Sequence, residues 1–114
     1  MLQLLRFGTD EAIPINDFDS IASSAVHLGQ ASGESHAYAV HLAPGGELGF
    51  HEAGFGQLFI VVQGRGWVAS PEERIDVASG EAVLIERGTV HAKGSVEGLV
   101  AIMVQVRDLR VAER

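Results

Sequence analysis

Four side chains in this sequence have the types and spacing to do chemistry together: His51, Gln57, His91 and Lys93. His51 follows the turn Pro44-Gly45-Gly46, and His91 follows Arg87-Gly88 in a similar setting. Side chains alternate across a strand, so Gln57, Phe59 and Val61 share one face while Leu58, Ile60 and Val62 share the other. With the first set inward, His51, Gln57 and His91 gather polar groups in an otherwise apolar cavity. Buried polar groups require partners. A metal ion, a bound water or a small organic ligand can each serve.

Lys93 shares the face of His91, and two readings of it stay open. Pointing inward, its ammonium repels a metal and attracts a substrate carboxylate, and desolvation lowers its pKa toward a general-base range. That makes Lys93 the candidate catalytic residue. As a strand-end lysine, it instead snorkels its head to solvent. His41 shares a face with Ala37 and Ala39, opposite Tyr38, Val40 and Leu42. It is a spare ligand near His51 or a hydrogen-bonded structural histidine. Trp67, the only tryptophan, either stacks on a planar ligand or packs in a core or interface. The candidate ligand-binding residues are therefore Gln57, Trp67 and His41. His27 and His36 receive no role.

The elements that must position these groups read as short strands. Val, Ile, Leu and Phe cluster in 37–43, 57–63, 67–70, 82–86 and 99–106, separated by turn signals such as Gly64-Arg65-Gly66, Ser79-Gly80 and Glu97-Gly98. The chain has 14 glycines, mostly at these turns, where positive φ suits a residue without Cβ. Short, regularly spaced strands indicate a β-sandwich or barrel. Leu58–Val62 and Leu99–Val104 are apolar on both faces and need cover outside as well as inside. A second sheet, the N-terminal strand or a partner subunit can supply it, and a homodimer is the expectation. Helix is expected only as one turn at Asp17–Ile21, capped by Asp17, and as a short helix or frayed tail from Asp108 to Arg114.

Composition narrows the class. The 114 residues are the size of one domain, 1–114, with 46% hydrophobic and 20% charged residues, as in a folded globular protein. A net charge of −7 argues against nucleic acid, whose phosphates demand basic patches. Arg107, Arg110 and Arg114 are interleaved with Asp108 and Glu113, so they make no basic tail. There is no cysteine, hence no disulfide or thiolate chemistry. No targeting segment is read at the N-terminus, and no apolar run approaches the roughly 18 residues of a membrane helix. A cytoplasmic location and no membrane partner are the expectations.

Two segments carry a family resemblance. Gly45, His51, Ala53, Gln57 and Gly64 fall on G-x5-H-x-H-x3-E-x6-G, and Gly80, Glu86, Gly88 and His91 fall on G-x5-P-x-G-x2-H. These are the two cupin motifs, at about 45–64 and 80–95. From about Val40 to Val104 the chain resembles the cupin superfamily, and most of all small bacterial single-domain cupins with an H-x-A-x3-Q-L-F core. The resemblance implies an all-β, antiparallel jelly-roll barrel with its site inside. It also implies a divalent metal such as iron, manganese, nickel or zinc, with His51, His91 and Gln57 as the ligands left, or no cofactor at all. Ala53 replaces a histidine ligand, and Gln57 replaces a carboxylate. Losing that imidazole and that charge weakens a metal site.

Two functions follow from the resemblance. One is a weak-metal enzyme of oxygenase, isomerase or decarboxylase type acting on a small polar molecule. The other is a metal-free barrel that binds or senses a small ligand through His51, Gln57 and His91. A vestigial site with a structural role is the third reading.

Overall fold

The computed structural model describes residues Met1 to Ala112. Ten strands follow one another: β1 (Leu2–Arg6), β2 (Ile13–Pro14), β3 (Ser24–Ala25), β4 (Gly29–Leu42), β5 (Gly46–Glu52), β6 (Gly56–Ala69), β7 (Arg74–Ala78), β8 (Glu81–Ile85), β9 (Val90–Ser95) and β10 (Leu99–Val111). Every pairing is antiparallel. The large sheet runs β1-β8-β6-β10-β4, and β5, β9 and β7 form the facing sheet with the far end of β6. The architecture is an all-β jelly-roll barrel.

β6 ties the two sheets together. Its first half pairs with β8 through Gln57–Ile60 and with β10 as far as Gly64. Its second half, Arg65–Ala69, pairs with β7 and β9. The segments 57–63 and 67–70 are thus one strand, and Gly64-Arg65-Gly66 is a bend within it. A bulge opposite Val100 and Ala101 re-aims the strand at that point. Gly64 has φ +85 and lies against the Gly98 carbonyl, where no side chain would fit.

Register lines up the inner face in rows. One row reads Leu2, Ile85, Gln57, Gln105 and His36, and the next reads Leu4, Val83, Phe59, Met103 and Tyr38. Phe59, Val61, Val68, Val77, Val83, Ile85 and Ala101 are buried in the interior cluster. A second cluster, on the outer face, joins Leu5, Leu58, Ala82 and Leu84 to Phe7, Leu28, Leu109 and Val111. Segments flanking β1 and β4 and the end of β10 therefore cover part of the doubly apolar strands. They leave Val62 47% and Ile102 38% exposed.

Both helical expectations need correction. Phe18 and Asp19 take positive φ of 62° and 55°, which breaks a right-handed turn at Asp17–Ile21. The short helical turn is at Thr9–Glu11 instead. Asp108–Val111 continues β10 beyond a bulge and pairs with Gly29–Ser32, because Leu109 and Val111 pack into the outer cluster. Glu113 and Arg114 of that expectation lie outside the described residues. Among the described residues, no helix is long and apolar enough to cross a membrane.

A methyl added at Gly94 would fall on the indole of Trp67, whereas one added at Gly54 would meet open space. Gly94→Ala is expected to cost about 1–3 kcal/mol by overpacking. Gly54→Ala should stay within about 0.5 kcal/mol of the parent. Urea unfolding of the two variants checks the difference.

Candidate functional site

β5, β6 and β9 bring the polar set together. The β5–β9 register places His51 directly opposite His91, with ring centroids 4.5 Å apart. Lys93 lies two residues along β9, on the same face as His91. Its Nζ is 2.9 Å from Nε2 of His91 and donates to Oε1 of Gln57 at 3.1 Å. The ring of Phe59 lies beside the ammonium, 5.4 Å from Nζ to its centroid, and adds a cation–π contact. Lys93, His91 and Gln57 are 1%, 0% and 3% exposed, so the cluster is a sealed floor. His51 is exposed and forms its lip.

The hydrogen bonds fix the state of the floor. Nδ1 of His91 is 3.1 Å from the Thr89 carbonyl, which also accepts the Ala53 N–H. A neutral His91 with its proton on Nδ1 donates to Thr89 and accepts from Lys93 through Nε2. Burial, reinforced by the Lys93 cation, lowers the His91 pKa to about 4. Burial lowers Lys93 to about 8, so it is still an ammonium at neutral pH. His51 sets its Nδ1 2.7 Å from the Gly49 carbonyl, which leaves Nε2 as its remaining donor or acceptor.

The other candidate residues stand apart from this set. Val40 packs against the inner cluster, so His41 points to the outer face of β4. Trp67 lies on the outer side of the small sheet, against Gly94 and under the Arg74 guanidinium 4.8 Å from its ring. Two inner-face residues escaped the sequence reading. Gln105 sits in the row between Gln57 and His36, a polar interruption of the series Leu99, Ala101, Met103 that alternation would have flagged. His36 stacks on Phe55 at 5.8 Å and donates from Nε2 to the Glu34 carboxylate at 2.7 Å, with Arg107 over the same Phe55 ring at 5.3 Å. That polar-aromatic group involves β4, the edge strand of the large sheet.

Solved structures share this architecture at low sequence identity. A conserved protein of unknown function from Streptococcus pyogenes matches with a TM-score of 0.63 at 22% identity, over 67% of each chain. A cupin superfamily protein from Desulfitobacterium hafniense gives 0.62 at 15%, over 71% of this chain and 77% of that one. A cupin-like protein from Thermotoga maritima gives 0.61 at 24%, over 68% of this chain and 64% of that one. The fold is that of a cupin. No family model matches the sequence, and no curated protein does.

A cupin barrel with the full motif would hold a divalent metal, so the donor set here is the test. Among the described residues, no group of three or more His, Cys, Asp or Glu side chains is placed to hold one. Ala53 is buried and brings only a methyl group. The lone pair of His91 Nε2 and the Gln57 oxygen already face Lys93. A dication at those atoms would meet an ammonium with no carboxylate to offset it. The residues present do not fit a metal.

Stability should carry the signature of this floor. Between about pH 4 and 6.5 the unfolded chain binds a proton that native His91 refuses, so stability falls as pH drops through that window. Between about 8 and 10.5 the unfolded chain holds a proton that native Lys93 gives up, so stability rises with pH there. Each effect is worth at most about 3 kcal/mol. Lys93→Met should abolish the alkaline slope and soften the acid one, as read from denaturant unfolding across pH 3–11.

Proposed function

We propose that this chain is a small-molecule-binding cupin whose interior site works without a metal. One observation carries the reading: Nζ of Lys93 lies 2.9 Å from His91 Nε2, the atom that a metal would need. The same ammonium engages Gln57, the other interior donor. Both interior acceptors are thus held by a protein cation, and a ligand at this floor would meet that cation in place of a metal. His51 stands where a ligand would pass from solvent to the floor.

Metal content tests this directly. Protein purified without tag or chelator, then incubated with iron, manganese, nickel and zinc, should retain far less than one metal per chain by mass spectrometry. Its melting temperature should not respond to chelator. Near-stoichiometric metal in the parent, lost in His51→Ala, would overturn the proposal.

The same reading includes assembly as a homodimer across the outer face of the large sheet. Val62 and Ile102 are exposed there beside the partly buried Ile60 and Val104. Next to them runs β4, a 14-residue edge strand with no Lys, Arg or Pro to discourage pairing. Light scattering on the eluting protein should give twice the chain mass at micromolar concentration. Ile102→Lys should halve it while the fold survives.

A further inference from the structure

The buried ammonium has an unfilled requirement. An ammonium carries three N–H donors, and Lys93 spends two, on His91 Nε2 and Gln57 Oε1. Its third donor has no hydrogen-bond acceptor among the described residues, only the nearby ring of Phe59. No carboxylate answers the charge either: ion pairs such as Arg6–Glu81, Arg65–Glu97, Arg74–Asp76 and Arg107–Glu34 engage other residues, and among the described residues none includes Lys93. A charge that is 1% exposed and lacks a counter-ion is costly in a low-dielectric interior. The chain is acidic overall, at −7, yet among the described residues no acidic side chain pairs with this cation.

We infer that the ligand of this barrel is a small organic carboxylate, which supplies the counter-ion and fills the third N–H of Lys93. This inference rests on the metal-free reading above and narrows it to a ligand class. The carboxylate takes a charge-assisted hydrogen bond from Nζ, the strong kind in a dry site. Its second oxygen faces the His51 side, the one exposed member of the set. Lys93 is 1% exposed, which favours a compact anionic head. Gln57 matters for what it is not. A glutamate there would bring its own charge to Nζ and satisfy the ammonium internally.

Acetate and formate, with acetamide and formamide as neutral isosteres, are the probes. Titrations followed by amide chemical shifts of β6 and β9, at constant ionic strength and neutral pH, should show acetate binding on the order of tenfold or more tighter than acetamide. Lys93→Met should erase that preference. Gln57→Glu should also abolish acetate binding while leaving Lys93 in place, so the test survives if Lys93→Met fails to fold. Equal binding of acetate and acetamide, binding of neither, or undiminished acetate binding in Gln57→Glu would overturn the inference. The metal-free reading is judged separately, by metal content, and survives any of those results.

Discussion

The contact on which the interior depends is the one between Lys93 Nζ, His91 Nε2 and Gln57 Oε1, because it is where the chain places a charge in its own core. Burying a lysine head costs several kcal/mol unless its donors find acceptors. Here an imidazole lone pair and an amide oxygen offset part of that cost, and the face of Phe59 adds a little more. The acceptors gain as well. His91 is fully buried and would have an unanswered Nε2 without the lysine, and its Nδ1 is anchored to the Thr89 carbonyl at the start of its own strand. Each buried polar group thus satisfies another, and no buried side-chain polar atom among the described residues is left without a partner.

That arrangement is only possible because β6 belongs to both sheets. Gln57 sits at its start, paired with β8 and β10, while its far end pairs with β9, the strand of His91 and Lys93. Contacts between positions 57 and 93 therefore form only when the barrel closes. The floor is a reporter of the whole fold, and local opening at either sheet exposes it. The β5–β9 register adds His51 opposite His91, with a bulge between Leu48 and His51 setting its alignment.

Much of this was legible in the sequence, for reasons that differ by residue. Alternation grouped Gln57, Phe59 and Val61 on one face, since that rests on the period of a strand, and the glycine and histidine spacings carried the resemblance that implied the jelly roll. Counting the same period onward from Val61 puts Trp67 inside. The bulge in β6 inserts one residue, so Val68 is inward and Trp67 outward. A bulge leaves little mark in a single sequence. His41 failed for a simpler reason, because alternation tells which residues share a face but not which face is inner. Lys93 was ambiguous because snorkelling depends on how far the strand end lies from solvent. It lies mid-strand in β9, which runs on to Ser95. The end of β10 was hidden by its charges, Asp108 and Arg110, between which Leu109 still packs into the outer cluster.

Two departures from the cupin motif, Ala53 and Gln57, form a consistent set with Lys93 when considered as charge. A site with neutral imidazoles, one carboxylate and a dication carries a net charge of +1. A site with a neutral imidazole, an amide and one ammonium carries the same. Gln57 in place of glutamate is what lets Lys93 stay unpaired by the protein, and Ala53 removes an imidazole that would have no cation to ligate. Had the carboxylate been kept beside Lys93, the interior would be neutral and self-satisfied. Had the lysine been absent, Gln57 and His91 would face an empty acceptor pair. The barrel keeps a buried positive charge by other means, and such a charge favours an anionic partner whether it comes from a metal or from the chain.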